Sequence, residues 1–328
     1  MIHFFCPSHR AALIIGERQN VLECPQGCNY DIIDGIPRFV TSEAYAEAFG
    51  LQWRRFRKTQ LDSYTGTTVS RDRLIRCLGG DLNVIEGRSV LEAGCGAGRF
   101  TEVLATVGAD ILACDISLAV EANMINRRER RALPGEDRVT ICQASILALP
   151  VQPQSFDYVI CLGVIQHTPD PATTIKALAD CVKPGGTLVI DHYSREYDYP
   201  LPRRILRAAM LKLPPGHASR VSIGLSRALC FFHQLFWHPN TIVGRLRNWL
   251  RKVSPLVDYY ESYPQLPRKI LADWCVLDTH DTVTDAFKHL RSLDEVVADV
   301  RAAGLEIVAA APGGNGVEIR ATRPVQSA

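Results

Sequence analysis

Between residues 72 and 193 the chain alternates apolar, strand-like runs with helical patterns, and few folds accept that order. The runs are Ser89–Ala93, Ala109–Asp115, Arg138–Gln143, Phe156–Leu162 and Gly186–Asp191. Strands separated by helices pair in parallel, because a helix returns the chain to the starting edge before the next strand begins. The spacing therefore predicts an α/β fold with a Rossmann-like, doubly wound sheet. Residues 291–303 read as one further helix. Residues 305–323 read as two strands around Gly313-Gly-Asn-Gly, a hairpin signal. The length of 328 residues suits about two domains. With 47% hydrophobic and 22% charged residues, disordered and fibrous classes are excluded. No apolar run reaches the ~18–20 residues of a membrane span, and the first residues show no basic-then-apolar leader. The eleven cysteines are odd in number, and many sit singly in apolar runs, as Cys114, Cys142, Cys161 and Cys181 do. That usage points to a reducing, cytoplasmic setting without a disulfide framework. The net charge of +2 selects no partner.

The strongest site signal follows the first of these strands. Glu92-Ala-Gly94-Cys-Gly96-Ala-Gly98-Arg99 puts glycines at alternate positions directly before a helix. Glycine permits a tight turn and a close ligand approach, and the helix start offers unpaired N–H groups. A nicotinamide fingerprint would need G-x-G-x-x-G, but Arg99 follows Gly98. The Gly-Lys-Ser/Thr of a P-loop is absent. Glu92 would repel a pyrophosphate and attract a cation. Asp115, ending the second strand, can accept from both hydroxyls of a ribose. Together these residues suit a nucleoside with a cationic, amino-acid-like tail.

On these residues the sequence resembles the class I S-adenosylmethionine-dependent methyltransferases. Ala144-Ser-Ile-Leu-Ala-Leu-Pro150 is similar to the family's loop after its third strand. The segment from Phe156 to Asp170 resembles its fourth strand and following turn, and Val182-Lys-Pro-Gly-Gly186 its turn into the fifth. The resemblance implies that Glu92 and the backbone of Gly94, Gly96 and Gly98 hold the methionine part and that Asp115 holds the ribose. It further implies that Ser145 and Ile146 lie against the adenine, with Leu162 beside the cofactor; Ser145 stands where the family commonly has Asp. The hairpin would supply the last two strands, one of them antiparallel.

A second signal lies at the N-terminus. Cys6-Pro-Ser-His9 and Cys24-Pro-Gln-Gly-Cys28 form two knuckles that can offer four ligands to one structural zinc. A segment of ~40 residues has little core of its own, so a metal staple is expected to order it. The segment resembles the zinc ribbons that precede some methyltransferase domains, and its tail resembles the small Trm112-type zinc-binding proteins.

The expected organisation is a zinc-ribbon-like module at 1–40, a helical connector at 41–71, a methyltransferase core at 72–193 with 291–328, and a helical insert or lid at 194–290. Residues 199–257 of the insert contain ten Lys and Arg and no Asp or Glu. Asn240 could cap a helix with Ile242, Leu246, Trp249, Leu250 and Val253 on one apolar face. Such an insert suits a lid over an anionic acceptor, a peripheral membrane contact or an RNA surface; a solvated basic face is the plain alternative.

Two histidines are candidate general bases: His167, past the fourth strand, and His280, flanked in sequence by Asp278 and Asp281. The family's Asn/Asp-Pro-Pro-Tyr motif for base amines is missing, and Leu162-Gly-Val-Ile stands there. The expected function is methylation of an oxygen on a small molecule, sugar or lipid-linked intermediate. The alternatives are an RNA base methyltransferase and a non-catalytic, cofactor-binding scaffold.

Overall fold

The computed structural model describes residues 3–16, 19–40, 50, 52–53, 55–130, 135–197, 199–238, 241–314 and 316–325. Asn240, the expected helix cap, and residues 41–49 of the expected connector lie outside the described residues. The chain forms two compact units. One comprises Met1–Glu43, Val69–Tyr197 and Phe287–Ala328; the other comprises Ala44–Thr68 and Asp198–Ala286.

The first unit opens with β1 (Ile14–Ile15), β2 (Val21–Glu23), β3 (Asn29–Ile33) and β4 (Ile36–Pro37), a small antiparallel sheet in that order. There follow α1 (Val69–Leu78), β5 (Ser89–Ala93), α2 (Thr101–Ala105), β6 (Asp110–Asp115) and α3 (Ala119–Glu129). Next come β7 (Val139–Gln143), β8 (Phe156–Cys161), α4 (Pro171–Asp180) and β9 (Val182–Tyr193). The second unit holds α5 (Leu201–Met210), α6 (Pro215–Gln234), α7 (Thr241–Val253) and α8 (Arg268–Thr284). The chain then completes the first unit with α9 (Leu293–Ala302), β10 (Glu306–Gly313) and β11 (Gly316–Thr322).

The main sheet runs β10-β11-β9-β8-β5-β6-β7, parallel from β9 to β7, with β11 antiparallel to both of its neighbours. This is the expected α/β, doubly wound architecture with one antiparallel strand. Leu91, Leu112, Cys114, Cys142, Val159 and Cys161 are fully buried in it, and every cysteine among the described residues is free of disulfide. Local signals set the helix starts. Asp170 accepts the Ala172 and Thr173 N–H groups before Pro171 at the first turn of α4, and Ser292 with Glu295 forms a capping box on α9. β9 begins before the expected Gly186. Its Pro-Gly-Gly segment is absorbed as a bulge, where the partner shifts from Phe156↔Val182 to Tyr158↔Thr187.

The small sheet is docked on the main one. The Phe39 N–H donates to the Gln143 carbonyl at 2.8 Å, Arg38 pairs with Glu121 at 3.3 Å, and Ile36 is buried in the core. This contact covers β7, an otherwise open edge. The basic run after α3 is also less solvated than its charge suggests: Arg130 is buried between Glu136 at 2.8 Å and Glu102 at 3.5 Å.

Within the second unit, Gln52 donates to Asp281 at 3.3 Å and Gln60 to Asp278 at 3.2 Å, so the segment before Val69 packs with the helices of the insert. Its interior combines apolar side chains such as Trp237, Leu271, Trp274, Leu277 and Val283 with several buried polar groups. His233 bridges Asp258 (2.8 Å) and Ser254 (3.0 Å), and Trp237 donates to the same carboxylate. Ser222 Oγ meets His280 Nδ1 at 2.7 Å. Part of the insert's positive charge is used internally: Arg203 donates to the carbonyls of Pro255 and Leu256, and Arg207 pairs with Asp285 at 2.7 Å.

In the first unit, α1 is tied to the end of β9 by the buried pair Arg73–Asp191, and Asp191 also accepts the Gly163 N–H at 2.6 Å. Removing one partner strands a buried charge. Arg73→Met is therefore expected to cost about 3–5 kcal/mol in urea unfolding, against about 1 kcal/mol for the cap variant Ser292→Ala. Equal midpoints for the two variants would show that Asp191 does not depend on Arg73.

Candidate functional site

The order of the main sheet sets where a site can form. From β5 the chain proceeds to β6 and β7 on one side, then crosses to β8 and β9 on the other, so the strand order reverses between β5 and β8. The crevice outside the carboxyl ends of these strands is where open α/β sheets bind ligands.

Glu92 lies at that end of β5, and the glycine loop leaves directly after it. Gly94 has φ +78°, and a Cβ there would stand 2.3 Å from Cγ2 of Val164. Gly98 has φ +91°, and its Cβ would stand 2.3 Å from Oδ1 of Asn123. Both positions therefore need glycine for conformation and for space. The loop is held from β6: the Gly94 and Cys95 N–H groups donate to the Cys114 carbonyl at 2.7 and 2.9 Å. The Gly96 N–H donates to Oδ2 of Asp115 at 3.0 Å. Asp115 thus bridges the loop and its own turn, since Oδ1 accepts the Ser117 N–H and hydroxyl at 2.8 and 2.7 Å. Burial pushes the Asp115 carboxyl above the ordinary range, opposed by these bonds.

Glu92 is buried, and only one of its oxygens is matched. Oε2 accepts the Thr101 hydroxyl at 2.6 Å, and Asn123 Nδ2 donates to the same hydroxyl oxygen at 3.0 Å. Oε1 is buried with no hydrogen-bond partner. Burial raises this carboxyl from 4.5 to about 8, with the Thr101 bonds acting the other way. A cationic amino group with N–H donors would complete Oε1 and offset the cost of ionising it. Thr101, Asn123 and Ser117 were not singled out from sequence; no motif marks them, and only the packing of α2 and α3 brings them to the two carboxylates.

Ser145 and Ile146 form the turn after β7, where Ser145 Oγ accepts the Leu147 N–H at 3.3 Å. Leu162 is buried just past β8. His167 sits in the short helix Ile165–His167 beyond β8, its Nδ1–H donating to the Phe287 carbonyl at 3.2 Å and its ring edge against Tyr193. His280 is different. It is fully buried inside the second unit, and the carboxylates beside it in sequence turn to Gln52 and Gln60.

Three further polar groups near the ends of β8 and β9 came from no motif. Gln166 is fully buried with both amide atoms unpartnered, and the Nε2 atoms of His192 and His289 are likewise buried and unpartnered. The His289 N–H donates to the Gln166 carbonyl at 3.0 Å, and burial holds His192 below the usual histidine range. They come from three separated segments, so no local pattern could reveal them.

In the small sheet, His9 Nδ1 lies 3.5 Å from the Sγ atoms of Cys6, Cys24 and Cys28 alike. A tetrahedral metal with M–S of about 2.3 Å and M–N of about 2.05 Å sets its ligands about 3.6 Å apart. Cys6, His9 and Cys28 bring their ligand atoms within 4.8 Å of one another, while Cys24 Sγ donates to Gln26 Oε1 at 2.9 Å. Cys24 and Cys28 lie in the turn joining β2 to β3, which orients both thiols toward the first knuckle.

The buried carboxylate predicts a pH signature. Unfolded, Glu92 ionises near 4.5; folded, it keeps its proton to about pH 8. Between these values the folded state holds the extra proton, so the stability of the ligand-free protein falls as pH rises, and the full cost is present above pH 8. Glu92→Gln should therefore raise Tm at pH 8.5, by about 2–4 °C per kcal/mol recovered, and the gain should vanish below pH 4.5. A gain independent of pH would show that ionisation of Glu92 is not its source.

Residues 91–190 match the sequence model of a family described as a methyltransferase domain. Over 126 residues the chain is 36% identical to a ubiquinone biosynthesis O-methyltransferase of Alkalilimnicola ehrlichii, covering 38% of this chain and 47% of that protein. Over 112 residues it is 36% identical to the protein of the same name from Methylococcus capsulatus, covering 34% and 46%. The chain thus spans about half the length of the curated relatives it matches. Among solved structures, it overlays on magnesium protoporphyrin IX methyltransferase of Synechocystis PCC 6803 with 17% identity and a TM-score of 0.45, covering 85% of this chain and 96% of that one. A methyltransferase of Methanosarcina mazei overlays with 16% identity and a TM-score of 0.41, covering 74% and 94%. The matched segment runs from the strand that delivers Glu92 to the strand that delivers Asp191, and over it this chain is similar to a methyltransferase domain.

Proposed function

We propose that the chain is a methyltransferase that carries the methyl group of S-adenosylmethionine to an oxygen of a small molecule, sugar or lipid-linked intermediate. The observation that carries this reading is the unmatched Oε1 of Glu92, buried beside a loop that only glycine can form. When bound, S-adenosylmethionine supplies an electrophilic methyl group on a sulfonium. Glu92 would accept from its amino group, the glycine backbone would line its methionine part, and Asp115 would accept from its ribose. Ser145, Ile146 and Leu162 would flank the adenine side. An oxygen acceptor is supported by the O-methyltransferase names of the relatives.

His167 is the proposed base. Its Nδ1–H donates to the Phe287 carbonyl, which would orient the ring so that Nε2 takes a proton from an acceptor hydroxyl. Gln166, His192 and His289 would receive the polar groups of that acceptor. His280, enclosed in the second unit, is assigned to holding Ser222. We also propose one structural zinc on Cys6, His9, Cys24 and Cys28. Four protein ligands leave no open coordination position, so the ion would brace the small sheet and take no part in the reaction.

Three experiments test these assignments. In titration calorimetry, Asp115→Ala should bind S-adenosylmethionine about 10- to 150-fold more weakly, as expected for a lost charge-assisted hydrogen bond. His167→Gln should bind it as wild type does, but lose about 10²- to 10⁴-fold in kcat. The substrates are a panel of hydroxylated aromatic, sugar and prenyl-linked acceptors set against RNA. Absence of binding by wild type would end the enzyme reading, and methylation of RNA alone would replace its acceptor. For the metal, protein purified without chelator should contain one zinc per chain, and Cys24→Ser with Cys28→Ser should lose it and lower Tm by several degrees. Zinc-free protein that melts as before would remove the site.

A further inference from the structure

Helices at a water-facing surface place apolar residues inward and polar residues outward. Three helices of the second unit depart from this by also turning large apolar residues outward. On α6 the buried face mixes Ser219, Ser222, Ser226 and His233 with Ala218, Ile223 and Cys230. Its outward stripe carries Val221, Leu225, Phe232 and Leu235, at helical spacing, with Phe231 beside it. Phe231 is 64% exposed and Leu235 66%. On α7 the expected apolar face exists but points outward: Ile242 is 76% exposed and Trp249 58%, and Leu246 and Val253 are exposed beside them. The buried position of α7 is instead Arg247, which lies over the Tyr260 ring and pairs with Glu261. On α5, Leu201 and Ile205 face out while Arg203 and Met210 are buried. Ser222 and His233 are hydrogen-bonded within the unit to His280, Asp258 and Ser254, and Arg203 to the carbonyls already described, whereas Ser226 Oγ is buried without a partner. Exposed apolar surface on this scale marks a site of interaction.

We propose that the outward faces of α5, α6 and α7 dock on a bilayer that contains anionic phospholipid. The charges around the apolar residues select this occupant. Arg204, Arg220, Arg227, Arg245 and Lys252 are exposed on the same helices, and residues 199–257 contain no acidic side chain. A bilayer surface offers both complements at once, a hydrocarbon boundary for Phe, Trp, Leu and Ile and a layer of negative head groups for Arg and Lys. An RNA surface would meet the cations but leave the aliphatic side chains unmatched. A second copy of the chain would match the apolar stripe but set like charges against each other. No helix among the described residues is long and apolar enough to cross a membrane, so these helices would lie in the interface. Cations alone would bind weakly and release with salt; the aromatic and aliphatic residues supply the second, salt-resistant contribution. The proposal is independent of the acceptor and of the reaction.

Flotation of the full chain with vesicles tests it. The protein should float with vesicles of phosphatidylcholine containing roughly one quarter phosphatidylglycerol, and about tenfold less with phosphatidylcholine alone. Rising salt should weaken the binding without abolishing it. Phe231→Ser with Phe232→Ser, and separately Trp249→Ser, should reduce the bound fraction about tenfold. Arg220→Glu with Arg227→Glu should abolish the preference for the anionic lipid. All of these positions are exposed, so melting temperatures should stay at the wild-type value and certify the fold. Trp237 and Trp274 are buried and Trp53 is half-buried, so with Trp53→Phe as background a blue shift of emission on adding anionic vesicles should be lost in Trp249→Ser. Wild type that stays at the bottom of the gradient overturns the proposal, as do variants that float as wild type does. A dimer that Phe231→Ser with Phe232→Ser dissociates, without vesicle binding, would assign the face to a second copy. Salt-steep RNA binding without vesicle binding would assign it to nucleic acid.

Discussion

Strand β5 is hydrogen-bonded in parallel to β6 on one edge and to β8 on the other, and this double pairing is what the candidate site depends on. It forces the chain to leave β5 where the strand order reverses, so the turn after Ala93 has no neighbouring crossover on its ligand side. The turn must be tight, because Val164 on one side and Asn123 on the other occupy the space a side chain would need. It must also be held, which the Cys114 carbonyl and the Asp115 carboxylate of β6 do. The two acidic residues are therefore placed by the sheet, Glu92 on the strand that supplies the turn and Asp115 on the strand that fixes it.

Burying two carboxylates so close together is unfavourable, and the fold compensates only in part. Asp115 receives three protein hydrogen bonds, while Glu92 receives one hydroxyl on one oxygen. The difference appears in their acidities, since burial moves both upward but takes Glu92 to about 8. A site that keeps a carboxyl near neutrality and one oxygen unmatched is preorganised for a cation, whose arrival supplies the missing donor and favours ionisation. The same logic separates the two histidines. His167 is oriented through one nitrogen by a carbonyl, whereas His280 is sealed among helices with Ser222.

The second unit follows another balance. Its interior is organised around hydrogen-bonded polar pairs, among them His233 with Asp258 and Arg207 with Asp285. Such pairs specify geometry more than they stabilise. Serine, histidine and arginine take several of the inward positions beside Met210, Ile223 and Cys230, and further large apolar residues of α5, α6 and α7 stand outside. The run of basic residues is thus divided between the interior and the surface, with Arg203 and Arg247 buried and Arg220, Arg227 and Arg245 exposed.

Much of the core was legible in the sequence, because the features that specify it are local. Period and turn chemistry placed the five parallel strands to within a few residues, and the glycine spacing located the loop between Glu92 and Asp115. The two Cys/His knuckles were legible as short turns, since the geometry of each is set by its own residues. Where contacts come from distant segments, the sequence was silent. Nothing local joins Thr101 and Asn123 to Glu92, or Gln166 to His289. The helical pattern of α7 correctly grouped Ile242, Leu246, Trp249 and Val253 on one face, yet a period gives only the relative direction of side chains. Which face turns inward depends on the partners available to it, and here Tyr260 and Glu261 took Arg247 inside and left the apolar face in the open. The sequence by itself determined the sheet, the loop and the ligand knuckles, because backbone preference and periodicity act over a few residues; only the tertiary structure decided which polar groups meet and which face is buried, because those outcomes rest on packing between segments far apart in the chain.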